Sequence, residues 1–258
     1  MDYTLPETSL LEIKTLEQVD NRGLFEISPL SPGYGVTIGN SLRRILLSSL
    51  EGAAITSVKI EGVTHQFSTI PKIKEDVVEI ILNLKTLRFE LESTEPVVMK
   101  LEVKGPKEIL AKDFVPNPSC RIVNTEAYLA SVSKGGNLKM EVVVSRGRGY
   151  VPVERRKDEK LPIGTISVDS IFTPVKKVHF EVENTRVGGI TNFDKLTLEI
   201  TTDGSIEPEK ALGLAARILL EHFSLVEKAC EVKTIKEKKP KKKPTAQKTK
   251  KKTKTKKT

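Results

Sequence analysis

The stretch Pro208-Glu209-Lys210-Ala211-Leu212-Gly213-Leu214-Ala215-Ala216-Arg217-Ile218-Leu219-Leu220-Glu221-His222-Phe223-Ser224-Leu225-Val226 decides the fold. Its apolar residues recur at three- and four-residue steps, and Pro208 suits a first helical turn, so the spacing predicts a helix from 208 to about 228. The apolar face is too wide for a single contact. Leu212, Ala215, Leu219 and Val226 form one stripe, while Ala211, Leu214, Ile218 and Leu225 form a second beside it. One stripe can cover this chain's own sheet. The other either lies between two layers of the same domain or docks against another subunit.

The sheet to be covered is legible just upstream. Val178, Phe180 and Val182 alternate with His179, Glu181 and Glu183. Leu196, Leu198 and Ile200 alternate with Thr197, Glu199 and Thr201, and Asp203-Gly204 then turns the chain. Ala54, Thr56, Val58 and Ile60 predict another strand, as do Val97, Met99, Leu101 and Val103. Leu42, Ile45, Leu46 and Leu50 predict a helix over 40–50, with Asn40 or Ser41 as its N-cap and Gly52 as its stop. Gly33, Gly35 and Gly39 before it read as a tight strand-to-helix connection. Val77, Ile80, Ile81 and Leu84 predict a further helix with Glu75, Asp76, Glu79 and Asn83 on its polar side. Between 110 and 170 the pattern weakens. Pro116-Asn117-Pro118, Gly135-Gly136-Asn137 and Arg146-Gly147-Arg148-Gly149 mark loops, and only 140–144 reads as a strand. The fold class is α+β, with a β-rich middle.

The 258 residues carry 43 Lys and Arg against 34 Asp and Glu, a net charge of +9. That surplus is local. Residues 233–258 hold 14 Lys and one Glu, which leaves 1–232 at −4. The tail lacks the apolar content needed to fold and reads as disordered. It either attracts nucleic-acid phosphates in a salt-sensitive way or simply solubilises the chain. No run approaches eighteen consecutive apolar residues, and the first residues lack a secretory layout, so a cytoplasmic protein is expected.

No reaction centre is visible. His65, His179 and His222 are isolated, two cysteines (Cys120 and Cys230) do not make a zinc site, and HExxH, CxxC, GxSxG, GxGxxG and GK[ST] are all absent. Acidic pairs such as Glu75-Asp76 do not form the clustered triplet that would hold two metal ions. The body lacks Trp and any interleaving of aromatic with basic residues, which argues against base readout. Its best basic clusters are Arg43-Arg44 and Arg146 with Arg148. Adjacent arginines on a helix point about 100° apart, so at most one borders the apolar stripe and the other is free for an outside carboxylate.

Three blocks then carry a family resemblance. Gly33-Tyr34-Gly35-Val36-Thr37-Ile38-Gly39-Asn40-Ser41-Leu42-Arg43-Arg44-Ile45-Leu46-Leu47-Ser48-Ser49 resembles the pattern G-[FY]-G-x-T-[IL]-G-N-[AS]-L-R-R-I-L-L-S-S of the bacterial RNA polymerase alpha subunit. Glu75-Asp76-Val77-Val78-Glu79-Ile80-Ile81-Leu82-Asn83-Leu84-Lys85 resembles its E-D-x-x-E-I-x-x-N-L-K block. Val182-Glu183-Asn184-Thr185-Arg186-Val187-Gly188 followed by Thr191-Asn192-Phe193-Asp194-Lys195-Leu196 resembles the third. The blocks stand in order and cover roughly residues 10–230.

The resemblance implies a discontinuous dimerisation domain of sheet and helices (1–50 and 170–232), interrupted by an inserted, mainly β domain (51–169). It implies a non-catalytic scaffold subunit of a nucleotidyltransferase, a homodimer on which the β and then the β′ subunit assemble. No cofactor is bound by this chain in that reading, the active-site magnesium belonging to β′. Gly39, Asn40, Arg43, Arg44 and Ser48 would contact β, and Glu79 and Lys85 would serve assembly of the large subunits. Leu42, Ile45, Leu46, Leu214, Ile218, Leu219 and Phe223 would form the dimer interface. The family usually continues into a small helical DNA-binding domain, whereas this sequence reaches Thr258 through its Lys-rich tail, so loose DNA contact through the tail is the expectation. The alternative, from another class, is a free-standing nucleic-acid-binding protein acting through that tail.

Overall fold

The computed structural model describes residues 11–156, 162–187 and 190–234. In chain order these form β1 (Glu12–Val19), β2 (Arg22–Leu30), α1 (Tyr34–Ser48), β3 (Glu51–Ile60) and α2 (Val77–Lys85). Next come β4 (Phe89–Leu91), β5 (Val97–Lys104), β6 (Lys107–Leu110), β7 (Cys120–Ile122), β8 (Tyr128–Val132) and β9 (Asn137–Arg148). The chain closes with β10 (Tyr150–Val151), β11 (Thr165–Ser167), β12 (Ser170–Ile171), β13 (Val175–Val187), β14 (Ile190–Thr202) and α3 (Pro208–Thr234). The chain divides into two compact units, 1–220 and 221–258, and both cores described below lie in the first.

The first core is built by the alternation seen in the sequence. An antiparallel sheet runs in the order β1-β2-β14-β13. Leu196, Leu198 and Ile200 on β14 are fully buried at 0% exposure, beside Phe25 and Ile27 on β2. Two residues in step with that inward row are polar, Thr202 at its end and the charged Asp194. Asp194 is only 7% exposed, yet its Oδ2 accepts hydrogen bonds from the backbone N–H groups of Gly33 and Gly35, both 2.9 Å. Those groups belong to the start of α1, where amides lack helical partners and the dipole favours an anion, so a carboxylate that would be costly elsewhere is satisfied here.

This contact explains why α1 begins at Tyr34 rather than near residue 40. Gly33 occupies a left-handed conformation (φ +86°) as the N-cap, a backbone that side chains disfavour. Gly35 and Gly39 are not a connection but part of the helix, on its buried stripe with Leu42 and Leu46. A Cβ at Gly39 would lie 2.7 Å from the Phe180 ring, and one at Gly35 would lie 2.7 Å from Val182. The missing side chains let α1 rest directly on β13 and β14. Asn40 and Ser41 are therefore interior helical residues, Ser41 Oγ donating to the Thr37 carbonyl at 2.8 Å. Gly52 is not the helix stop either. It lies in β3, with the Phe172 carbonyl against it where a Cβ would stand.

From α3, Ala211, Leu212 and Ala215 complete this core. The two apolar stripes are not divided as face in and face out: Ala211 of the second stripe is buried, whereas Val226 of the first is exposed. Burial falls along the helix. Ala211 and Ala215 are buried, Leu214, Ile218 and Leu219 are half-buried, and Leu220 is exposed. The stretch 221–234 forms the rest of α3 and exposes Phe223, Leu225 and Val226.

The second core draws on residues 55–168. Its sheet runs β5-β9-β3-β4-β7, with β11 added along β3 and a separate β6–β8 pair. α2 lays Val77, Ile80, Ile81 and Leu84 on it, and Asp76 caps the helix by accepting from the Glu79 N–H at 2.7 Å. The register of β3 against β9 shifts between Ile55 and Ser57, so Thr56 leaves the inward row expected from the alternation and Ile55 is buried. The 110–170 region holds more strand than its sequence suggested. β9 continues through Arg146 and Gly147 to Arg148, because the Phe172 ring packs over Gly147 where a Cβ would come within 2.6 Å. The Lys-rich tail from residue 235 lies outside the described residues, and Lys233 and Thr234 belong to α3.

Asp194→Ala should remove the two-bond anchor of α1 and leave its first amides without their acceptor. The expected loss is about 3 kcal/mol of stability, or a melting midpoint lowered by roughly 5–10 °C, read by calorimetry. An unchanged midpoint would show that α1 is held by its glycine contacts alone.

Candidate subunit-interface site

With one stripe of α1 pressed on the sheet, helical geometry turns Val36, Asn40, Arg43, Arg44, Leu47 and Ser48 toward solvent, and all six are exposed. Arg44 points almost directly away from the buried stripe and Arg43 flanks it. Neither guanidinium makes an ion pair or side-chain hydrogen bond with a described residue. Ser48 is oriented inward along its own helix, Oγ donating to the Arg44 carbonyl at 2.6 Å. The face is thus a cationic pair beside two exposed aliphatic side chains.

Several expected contact residues are placed elsewhere. Gly39 is buried against Phe180 and presents nothing outward. Leu42 and Leu46, at 4% and 0% exposure, are internal to this chain and have no surface left for a second copy. Ile45 does remain at the rim, half-buried alongside Leu214, Ile218 and Leu219. Phe223, in the second unit, is exposed. Glu79 stands exposed in the first turn of α2, where a carboxylate suits the helix dipole. Lys85 is not a free cation: its Nζ lies 3.1 Å from Asp169 Oδ2.

Glu75 is not on a solvated face. It is buried, its carboxylate receiving the Tyr128 hydroxyl and, at 2.7 Å, the Ser131 N–H. Burial opposes its charge, but these donors prevail and hold the carboxyl below the usual range. Burial and the Glu75 hydrogen bond together push the Tyr128 phenol up to about 12. The pair ties the start of α2 to β8 and so orients the helix that carries Glu79 and Lys85. Asp169 is likewise held below the ordinary carboxylate range, first by the Val153 N–H and then by Lys85.

His179 contacts Glu181 at 3.1 Å on an exposed strand, and His65 lies beside Ser68. Burial pushes the Cys120 thiol up to about 11, and Cys230 is an exposed free thiol. No group of three or more His, Cys, Asp or Glu among the described residues is placed to hold a metal ion. No helix among them is long and apolar enough to cross a membrane.

Sequence reasoning missed Asp194 and Asp169 as organising residues. A signal existed for the first: Asp194 lies in step with Leu196, Leu198 and Ile200, and a carboxylate on an apolar row needs a partner. Asp169 lies 84 residues from Lys85, and local pattern does not link them.

A discontinuous domain of sheet and helices, interrupted by a β-rich insertion, is the class of fold these elements define. Comparison with known proteins supplies a family model for the inserted part and relatives that span most of the chain. The model of the RNA polymerase Rpb3/RpoA insert domain matches residues 58–173. A DNA-directed RNA polymerase subunit alpha from Carboxydothermus hydrogenoformans is 56% identical over 214 residues, covering 83% of this chain and 68% of the relative. That of Symbiobacterium thermophilum is 49% identical over 236 residues, covering 90% and 75%. That of Moorella thermoacetica is 54% identical over 206 residues, covering 80% and 66%. The chain belongs to the DNA-directed RNA polymerase alpha subunit family. These comparisons lend no support to a free-standing nucleic-acid-binding protein acting through its tail.

The Tyr128–Glu75 pair makes stability depend on pH at the alkaline end. The folded chain keeps the Tyr128 proton up to about pH 12, while the unfolded phenol begins to lose its own near pH 10. Unfolding therefore releases a proton between these values and stability falls as pH rises through them. Denaturant titrations from pH 9 to 12 should show a shallower fall for Tyr128→Phe than for the unsubstituted chain. Parallel curves would rule the pair out as the source.

Proposed function

We propose that two copies of this chain pair, and that the pair is the platform on which the β and then the β′ subunit of DNA-directed RNA polymerase assemble. The observation that carries this reading is the outward face of α1, where Arg43 and Arg44 stand exposed without a described ionic partner beside Val36 and Leu47. A guanidinium presents a planar fork of donors that grips carboxylates or carbonyls in two-point fashion, and it is less strongly hydrated than an ammonium. Such groups next to aliphatic side chains suit a protein interface that becomes partly dry. Family membership supports the same reading, since the relatives are alpha subunits of the polymerase.

Pairing of two copies is supported by the rim of apolar residues that the chain's own sheet only half covers: Ile45 on α1 and Leu214, Ile218 and Leu219 on α3. A second copy would finish their burial, at about 25 cal/mol per Å² of apolar surface removed from water. The chain supplies no reacting group in this mechanism. Nucleotidyl transfer belongs to the assembled enzyme, with its magnesium in β′, and this chain's contribution is to hold the large subunits in place.

Arg44→Ala should leave the dimer intact and weaken capture of β by about 30-fold, the loss of one interface anchor of roughly 2 kcal/mol. Size-exclusion chromatography of the dimer with purified β reads both properties together, and undiminished co-elution would refute the assignment. Leu219→Asp should act on the other surface, because an unpaired charge in a closing apolar interface is costly. Sedimentation at micromolar concentration should then find folded monomer where the unsubstituted chain is dimeric. A Leu219→Asp chain that stays dimeric would remove α3 from the pairing surface.

A further inference from the structure

The ammonium of Lys85, the last residue of α2, is engaged inside the chain. Its partner Asp169 lies between β11 and β12 and uses both carboxylate oxygens. Oδ2 meets Lys85 at 3.1 Å, while Oδ1 accepts from the backbone N–H of Val153 at 3.0 Å. Val153 opens a single 3-10 turn that closes at Arg156. Arg156 returns to the same neighbourhood, donating to the Thr56 carbonyl at 3.1 Å, to the Val168 carbonyl, and to Ser170 Oγ at 3.3 Å. Ser170 Oγ in turn donates to the Ile55 carbonyl at 2.8 Å. Both ends of the turn are thus strapped on either side of Asp169, over the irregular point of β3.

The strapped segment continues directly into the β10–β12 ribbon. Tyr150 pairs in register with Ile171 there, and the two are 56% and 48% exposed. The ribbon abuts the end of α1. The Cα of Gly149 faces the Ser48 carbonyl, with 3.5 Å left for a Cβ, and the Thr173 hydroxyl reaches the Leu47 carbonyl at 3.5 Å. An exposed aromatic and an exposed aliphatic side chain therefore stand on a ribbon whose flanking residues meet the C-terminal end of α1. An ion pair this accessible contributes little to global stability, but it fixes where a short, two-residue-wide ribbon stands.

We infer that Lys85 serves assembly as a positioning residue acting through Asp169, which holds the Tyr150–Arg156 segment so that Tyr150 and Ile171 continue the α1 surface that β meets. This rests on the reading of α1 as the β-capturing face. It differs from a direct role for Lys85 in one testable respect. If Lys85 touched the large subunit itself, removing the charge of Asp169 would release the ammonium and leave capture unchanged or tighter. If Lys85 works through Asp169, the same change loosens the strap and weakens capture.

The test uses full-length chain and purified β, with dissociation constants measured for Lys85→Met, Asp169→Asn, the double variant and Lys85→Arg. Asn keeps an acceptor for the Val153 N–H while losing the charge. Each single change should weaken capture by about five- to tenfold, the double variant should be no weaker than either single one, and Lys85→Arg should restore most of the affinity. Hydrogen exchange of the 150–156 amides should quicken in Lys85→Met. Capture by Asp169→Asn at or above the unsubstituted affinity overturns the inference, as does a double variant with additive losses. Should Asp169→Asn fail to fold, exchange in Lys85→Met decides, and unchanged protection of 150–156 overturns it. If the unsubstituted chain does not capture β, the platform reading falls and takes this one with it. Capture that is intact but indifferent to Asp169 removes this inference alone.

Discussion

The contact between the Asp194 carboxylate and the first amides of α1 is the constraint on which the rest of the molecule depends. It places an anion on a largely apolar row of β14, where only a cluster of unpaired N–H groups makes it tolerable. The constraint works in both directions. The helix must begin at this point, because only here are its free amides answered, and the strand must present this residue inward, because its neighbours at two-residue steps are core. Gly35 and Gly39 then allow the helix axis to approach the sheet more closely than any side chain would permit. Close seating of one stripe settles the rotation of the whole helix, and that rotation is what turns Arg44 outward. The cationic face is a consequence of the glycines on the buried side.

A similar logic runs through the second core with different chemistry. Glu75 is buried and Asp169 half-buried, and each carboxylate is answered by a backbone N–H together with a side-chain donor. Each joins segments far apart in sequence: the start of α2 to β8 in one case, the end of α2 to the 153–169 region in the other. α2 is therefore tied at both ends, and its outward residues are displayed by polar contacts as well as by apolar packing. A buried polar group such as Glu75 adds less net stability than an apolar replacement of equal volume, but it accepts fewer alternative arrangements. A junction of the same type joins the two cores within the first unit, where Arg88 pairs with Asp203 at 3.3 Å.

How far the sequence revealed this architecture depends on the range of the forces involved. The strands at 178–182 and 196–200 were legible because a two-residue period reports burial directly and no bulge interrupts those rows. α2 was legible because its apolar spacing and its Asp76 cap are both local. The start of α1 was not, because glycine counts against a helix unless a neighbour needs its missing side chain, and that neighbour, Phe180, is 141 positions away in the sequence. The β3 bulge displaced Thr56 for the same reason, since register is a property of two strands. In the candidate site, the exposed arginines followed from helical geometry once a buried stripe was assumed. Gly39, Leu42 and Leu46, contact positions implied by the family resemblance, are buried within this chain, and a sequence motif does not say whose atoms cover a residue. Glu75 looked solvated for want of any local sign of Tyr128.

Symmetry adds a consequence for the proposed platform. In a two-fold pair, each copy presents the same α1 face, with the same arginines and the same adjoining ribbon. Two different large subunits cannot both be specified by that face alone, because identical surfaces have identical preferences. Order of arrival resolves this if the first subunit captured alters what the second site sees, either by covering part of the partner copy or by supplying a surface of its own. In the proposed platform, discrimination then lies outside the dimer, in the bound β subunit. On that proposal each copy need only present one rigidly oriented face, which a helix seated on glycines and anchored by a buried carboxylate is suited to do.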